Sequence, residues 1–165
     1  MNLPSHVKLV IFDVDGTLVT TKSGATFRKA ADDWQWLPSR LAKIAMLHLH
    51  GIKLAIASNQ GGVAFGYLDP LEIRHELMVM ASEGHIAFVE MCFSHPEATR
   101  PGYRDNSPRR KPGPDMLNEI ISASGEAKQD TLMVGDRPED EQAAQNAGVA
   151  FMWANEFFGD KEIDQ

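Results

Sequence analysis

The chain has 165 residues, 43% of them hydrophobic and 24% charged, with a single cysteine, Cys92, and a formal net charge of −7 at pH 7. This composition is ordinary for a globular protein and excludes collagen, a long disordered tail and a disulfide scaffold. The acidic balance means that the surface as a whole should repel nucleic acid.

We expect a single domain over residues 1–165, because domains typically run to roughly 100–200 residues. Residues 1–8 lack the basic segment and long apolar stretch of a secretory signal. No apolar run approaches the roughly 18 residues that a membrane helix needs, and one cysteine suits a reducing compartment. These features predict a cytoplasmic protein with no membrane partner.

The apolar pattern predicts strands that alternate with helices. Short apolar runs predict buried strands over residues 7–12, 52–57, 86–93, 131–134 and 149–153. Apolar spacing and end signals predict helices over 37–50, from a cap at Asp69 to Gly84, up to Gly125, and over 139–147. Residues 94–112 are rich in proline and predict a loop. The alternation indicates a three-layer α/β fold, with a parallel sheet covered by helices on both faces.

Three polar motifs follow the first, second and fourth predicted strands, at the ends where parallel sheets bind ligands. They are Asp13-Val-Asp-Gly-Thr, Ser58-Asn-Gln-Gly-Gly and Gly135-Asp-Arg-Pro-Glu-Asp. Together they bring four carboxylates to one edge, those of Asp13, Asp15, Asp136 and Asp140. Two like charges about 4 Å apart cost about 4 kcal/mol at an effective dielectric of about 20. A divalent cation would relieve this repulsion, and oxygen-only ligands favour magnesium.

The same edge carries groups that can hold a phosphate. Lys111, on the predicted loop, supplies a positive charge, while Ser58, Asn59 and the amides of the following glycines supply donors. A metal, a cation, an amide cradle and a carboxylate that can attack indicate phosphoryl transfer.

Four segments in order resemble the motifs of the haloacid dehalogenase (HAD) superfamily. They are Phe12-Asp-Val-Asp-Gly-Thr-Leu18, Ser58-Asn59, Lys111-Pro112 and Gly135-Asp136-x-x-x-Asp140. The resemblance implies that Asp13 is a nucleophile that becomes an aspartyl-phosphate, and that Asp15 is the general acid and then the base. It also implies Mg²⁺ held by Asp13, the main-chain carbonyl of Asp15 and Asp136. Asp140 is left open as a direct or an indirect metal neighbour.

The resemblance further implies that Ser58 and Lys111 hold the phosphoryl oxygens, and we add Thr17, Asn59 and Arg110 as candidate substrate contacts. A second aspartate in the first motif is the phosphatase pattern, so we expect a phosphoric monoester hydrolase. Neither insertion between motifs is large enough for a separate cap domain, which predicts the capless type with an open site.

Two substrate classes fit this prediction. Residues 15–34 and Asn59-Gln60-x-Gly62 resemble polynucleotide 3′-phosphatases. Five basic residues near the predicted loop would suit a nucleic-acid end, namely Arg100, Arg104, Arg109, Arg110 and Lys111. We therefore expect a polynucleotide 3′-phosphate as the main substrate, with no protein partner indicated.

The alternative is a small phosphorylated metabolite. Cys92-Phe-Ser-His95-Pro-Glu97 and Arg110-Lys111-Pro112 are similar to the zinc-loop region of heptose-bisphosphate and histidinol-phosphate phosphatases. Ser107 and Arg109 stand near the place of two further cysteines in that family. Cys92 and His95 would thus supply at most two zinc ligands, whereas a closed structural site takes four. A non-catalytic, phosphate-binding HAD module is a further alternative, but it would be expected to lack Asp13, Asp15 or Lys111.

Overall fold

The computed structural model describes residues 3–160, so the single domain predicted over 1–165 extends at both ends beyond the described residues. Seven strands lie in residues 3–160: β1 (Leu9–Phe12), β2 (Val19–Thr20), β3 (Gln35–Trp36), β4 (Lys53–Asn59), β5 (Phe88–Cys92), β6 (Thr131–Gly135) and β7 (Ala150–Trp153). Five of them form one sheet in the order β5-β4-β1-β6-β7, and every neighbouring pair is parallel. The predicted parallel α/β fold is confirmed.

Five α-helices connect and cover the strands: α1 (Arg40–Leu49), α2 (Pro70–Glu83), α3 (Asp115–Ser124), α4 (Pro138–Ala147) and α5 (Ala154–Phe158). The Asp69 carboxylate caps α2 by accepting from the amides of Leu71 and Glu72 at 2.9 and 3.1 Å, as predicted. The first helix was predicted from residue 37 but begins at Arg40, because Ser39 has a φ of 62° that an α-helix does not accommodate.

Helices pack on both faces of the sheet. Alternate residues of β1 point to opposite faces, so Phe12 belongs to the core cluster shared with α1, α2 and α5, while Ile11 belongs to the cluster shared with α3 and α4. The Phe12 ring lies 5.7 Å from that of Phe157 and 5.8 Å from that of Phe158. Each fully buried phenylalanine stabilises the fold by roughly 1.5–3 kcal/mol. The short helix α5 thereby fixes the strand that leads into the first polar motif.

The segment between β1 and α1 forms a small hairpin, not a cap domain. β2 and β3 pair antiparallel, with Val19 opposite Trp36, and residues 21–34 form the loop between them. This hairpin was not predicted from the sequence, because strands of two residues carry no periodic signal. Its 21–34 loop lies at the edge where the polar motifs emerge. Within residues 3–160 no helix is both long and apolar enough to cross a membrane.

Candidate active site

The carboxyl ends of β1 and β6 bring two aspartates together. Phe12 lies opposite Val134 in the parallel ladder, so the chain leaves both strands at the same edge, toward Asp13 and Asp136. One oxygen each from Asp13, Asp136 and Asp140 lies within 4.8 Å of the others. A cluster of carboxylate oxygens at this spacing suits a hard divalent cation such as Mg²⁺.

The pKa shifts of Asp13 and Asp136 also bear on whether the cluster can hold a cation. Burial raises the pKa of Asp13, and Asp140 and Asp136 add to the rise, while Lys111 opposes it. Burial also raises the pKa of Asp136, and Asp140 adds to that shift. Burial is the larger cause of both pKa rises, and repulsion from the neighbouring carboxylates adds to it. The residues present therefore fit a bound cation, which would offset that repulsion.

Asp140 supports this cluster from the first turn of α4. Its Oδ2 accepts from the amides of Asp136 and Arg137 at 3.2 and 3.1 Å, and its Oδ1 accepts from Lys111 Nζ at 2.6 Å. A Cβ on Gly135 would lie 2.4 Å from the Asp140 side chain, so only glycine permits this approach. Because both oxygens of Asp140 are occupied, the geometry favours a supporting role over direct metal binding.

Lys111 is the counter-charge of the cluster. Its side chain is 2% exposed, and Nζ donates to Asp13 Oδ1 at 2.7 Å as well as to Asp140. Burial disfavours the charged amine, but the attraction of Asp13 and Asp140 outweighs it and raises the pKa of Lys111. The amine is therefore cationic where it meets the predicted nucleophile.

Asn59 fixes the main chain at Lys111. Its Nδ2 donates to the Lys111 carbonyl and its Oδ1 accepts from the Lys111 amide, both at 2.9 Å. Both polar ends of the Asn59 amide are thus engaged. The sequence predicted a substrate contact for Asn59, whereas this geometry favours a role in placing Lys111.

Gly16 and Thr17 lie close to the same carboxylates. Gly16 has a φ of +89°, and a Cβ there would lie 2.2 Å from Asp136 Oδ2. The Thr17 hydroxyl is buried and lies 3.3 Å from Asp136 Oδ1 and 3.5 Å from Asp13 Oδ2, so it can donate to either. Thr17, predicted as a substrate contact, thereby has its hydroxyl directed to the carboxylates.

Asp15 is held apart from the three-carboxylate cluster. Arg28 Nε donates to its Oδ1 at 2.7 Å, and Gln60 Nε2 donates to its Oδ2 at 2.9 Å. Gln60 Nε2 also donates at 2.7 Å to the hydroxyl of Ser58, which is itself 1% exposed. The contact of Arg28 was not predicted, because the residue lies in a loop without periodicity.

Many of these groups line one cleft of about 600 Å³, but Asp136, Thr17 and Ser58 do not. Its polar lining includes Asp13, Asp15, Lys111, Arg28, Arg110 and Arg137. The aromatic residues Phe27, Phe65 and Tyr67 also line it, and Phe27 and Tyr67 are exposed. The cleft thus combines a carboxylate cluster with cations that could bind an anionic substrate.

The five basic residues near the predicted loop differ in their surroundings. Arg109 pairs with Glu90 at 2.8 Å and with Glu119, outside the cleft. Arg110 and Lys111 line the cleft, whereas Arg100 and Arg104 are exposed and do not. Of the five basic residues, only Arg110 and Lys111 therefore line the cleft, and a joint nucleic-acid surface stays a prediction.

Cys92 and His95, which could supply at most two zinc ligands, are not part of a metal cluster in residues 3–160. Cys92 is buried at the end of β5, and His95 Nδ1 accepts from the amide of Glu97 at 3.0 Å. In residues 3–160, the only group of three or more potential ligands is the one formed by Asp13, Asp136 and Asp140. The described part of the chain therefore holds no four-ligand zinc site.

Comparisons with known proteins show the family of this chain. Residues 8–158 match the family model described as polynucleotide kinase 3 phosphatase. The D-glycero-beta-D-manno-heptose-1,7-bisphosphate 7-phosphatase of Bordetella bronchiseptica is 33% identical over 146 residues, 87% of this chain and 78% of that protein. The bifunctional polynucleotide phosphatase/kinase of Schizosaccharomyces pombe is 47% identical over 57 residues, 34% of this chain and 14% of that protein.

A solved structure shares the fold. The crystal structure of D,D-heptose 1.7-bisphosphate phosphatase from B. bronchiseptica, complexed with magnesium and phosphate, matches with a TM-score of 0.73 and 27% identity. The match covers 96% of this chain and 89% of that chain. This chain is thus similar over nearly its whole length to a phosphatase that binds magnesium and phosphate.

Proposed function

Because the chain belongs to the polynucleotide kinase 3 phosphatase family of capless HAD phosphatases, and is a phosphoric monoester hydrolase, we propose that it works with Mg²⁺ through an aspartyl-phosphate on Asp13. One observation carries the proposal: the Asp13 carboxylate lies at the cleft, 2.7 Å from a buried lysine and within 4.8 Å of two further carboxylates. A carboxylate in this setting is a nucleophile whose approach to a phosphate dianion is electrostatically supported.

The residues of the chain would divide the reaction into two displacements. An oxygen of Asp13 forms a bond to phosphorus while the ester P–O bond breaks, and Asp15 gives its proton to the departing oxygen. Asp15 then takes a proton from water as that water attacks phosphorus, which releases phosphate and restores the Asp13 carboxylate. Lys111 holds charge on the phosphoryl oxygens in both steps.

Asp13, Asp136 and the main-chain carbonyl of Asp15 would hold the Mg²⁺. When bound, the ion neutralises part of the charge on the phosphoryl oxygens and offsets the repulsion among the carboxylates. Asp140 and Thr17 support this set through Lys111 and through Asp136.

We infer a small phosphorylated sugar as the substrate class, in place of the polynucleotide end that the sequence favoured. The relatives that match over two thirds or more of their own length are named heptose-bisphosphate phosphatases. Arg110 makes no ion pair within residues 3–160 and lines the cleft, so it could hold a second phosphate of such a sugar.

A polynucleotide 3′-phosphate is the second candidate. The family model that matches residues 8–158 and the short match to a polynucleotide phosphatase/kinase favour it. The exposed aromatics Phe27 and Tyr67 could stack on a base at the cleft. The ion pairs of Arg109 with Glu90 and Glu119 weaken this candidate, because they neutralise that cation outside the cleft.

The test measures phosphate release from a heptose 1,7-bisphosphate, histidinol phosphate and an oligonucleotide 3′-phosphate, each with Mg²⁺ and with a chelator. We expect the heptose ester to be fastest, the chelator to abolish turnover, and Asp13→Asn to lower the rate at least a hundredfold with an unchanged Tm. Acid quenching during turnover should trap a phosphorylated wild-type chain. Fast turnover of the oligonucleotide alone would overturn the sugar assignment, and an active Asp13→Asn variant would overturn the mechanism.

A further inference from the structure

The carboxylate of Asp15 accepts hydrogen bonds from two residues that come from different parts of the fold. Arg28 lies on the 21–34 loop and holds Oδ1 at 2.7 Å, while Gln60 follows β4 and holds Oδ2 at 2.9 Å. The Asp15 side chain is still 42% exposed and lines the cleft. A carboxyl group has about four lone-pair positions, so two remain free, and either can carry the proton that is donated to a substrate oxygen.

The position of Arg28 is itself built by the loop. Its Nη1 donates to the Ala31 carbonyl at 3.1 Å, and its side chain is only 3% exposed. The loop is closed by Asp33, which accepts from the Ser23 amide, the Ser23 hydroxyl and the Lys29 amide at 2.8, 2.7 and 3.0 Å. The Arg28 guanidinium is therefore held in place by a hydrogen-bonded loop.

Arg28 is buried although its hydrogen bonding is incomplete. Its Nη2 is buried and has no hydrogen-bond partner within residues 3–160. Asp15 is also its only carboxylate partner in that part of the chain. A buried cation with an unsatisfied nitrogen is unfavourable for stability, so stability does not account for its place here, and its contact with Asp15 points to a task at that carboxylate.

We propose that Arg28, together with Gln60, is a positioning residue that aims the Asp15 carboxyl at the leaving oxygen of the substrate. This inference rests on the proposed function, in which Asp15 protonates that oxygen. Fixing a proton donor in its reactive orientation matters most when the leaving alcohol is a poor leaving group. Arg28 would thereby determine how well the enzyme cleaves alkyl phosphates, such as sugar phosphates, relative to activated aryl phosphates.

The test compares two leaving groups in the first half-reaction. Single-turnover release of the alcohol from an alkyl phosphate and of p-nitrophenol from its phosphate is measured with saturating Mg²⁺, for wild type, Arg28→Gln and Asp15→Asn. We expect Arg28→Gln to slow the alkyl ester at least tenfold and the p-nitrophenyl ester less than threefold, since p-nitrophenolate leaves with little help from an acid. Asp15→Asn should show the same selectivity, with larger losses.

Controls separate positioning from folding. Lys29→Gln removes an exposed charge next to Arg28 and should leave both rates unchanged. Added methylguanidinium at non-denaturing concentration should partly restore the alkyl rate of Arg28→Ala, and Arg28→Lys should retain more of that rate than Arg28→Gln.

The outcomes are distinct. Equal losses for both esters, in a wild-type enzyme that is active, would overturn the role of Arg28 alone. A wild-type chain without metal-dependent phosphate release would overturn both the proposed function and this inference, since no acid would remain to be positioned. If Arg28→Gln does not fold, methylguanidinium rescue of Arg28→Ala decides the question, and a rescue of both esters to the same extent would count against the proposal.

Discussion

Replacing Gly16 by alanine places a methyl group against the metal site. Gly16 has a φ of +89°, and the new Cβ would lie 2.2 Å from Asp136 Oδ2. Gly24 offers a matched control, because its φ is +76° but nothing lies within 4 Å of a Cβ there. Both substitutions incur the cost of a left-handed backbone, about 1–2 kcal/mol. Only Gly16→Ala also displaces a carboxylate.

The magnitude follows from the contact. Asp136 must retreat by about 1 Å to reach an ordinary contact distance, and Mg²⁺ tolerates little distortion of its ligands. Disturbing the surroundings of a metal ligand typically costs 10–100-fold in affinity. We expect Gly16→Ala to raise the half-saturating Mg²⁺ concentration at least tenfold and Gly24→Ala to leave it within twofold.

The assay is a Mg²⁺ titration of phosphate release for both variants, with urea unfolding in parallel. Both variants should lose about 1–2 kcal/mol of stability, or somewhat more for Gly16→Ala. Equal Mg²⁺ dependence of the two variants would refute the reasoning, since it would mean that Asp136 is not needed for the ion.

Two further predictions concern charges of the fold. Lys111→Met leaves Asp13 and Asp140 buried without their cation, so it should lower the free energy of unfolding by about 3–5 kcal/mol. The measurement is urea unfolding in the presence of a chelator. A loss below about 1 kcal/mol would contradict the pairing. The Lys29 amide and then the Ser23 hydroxyl hold the pKa of Asp33 down to about 2. Because this pKa lies below the unfolded value of about 3.9, the stabilisation is present above that pH and is lost as the pH falls toward 2. The stability difference between wild type and Asp33→Asn should therefore shrink from pH 6 to pH 3, and a constant difference would be inconsistent with it.

The part of the site that lies at strand ends was predictable. Parallel strands deliver their next residues to one edge, so Asp13 and Asp136 could be paired from the sequence before any coordinates were known. Gly125 and Gly148 likewise marked the ends of two helices, because each has a φ near 75° that favours glycine.

The contacts that orient the site were not predictable. Arg28 reaches Asp15 from a loop, and the Asn59 amide turns toward the main chain of Lys111, 52 positions away. Neither contact follows a helical or strand period. The motif after the second predicted strand therefore identified Asn59 as a candidate but could not identify its hydrogen-bond partner. The ion pair of Arg109 with Glu90 was missed for the same reason, since it depends on how β5 lies beside the loop.

The hydrogen bonds between the Asn59 side chain and the main chain of Lys111 have a consequence for variants at residue 111. The two hydrogen bonds reach the carbonyl and the amide of residue 111 and never its side chain. Because these two bonds would also form in Lys111→Met, the stability lost by that variant would measure the missing cation and not a displaced main chain. The path of the chain at residue 111 is thus set separately from the charge that the side chain brings to the nucleophile.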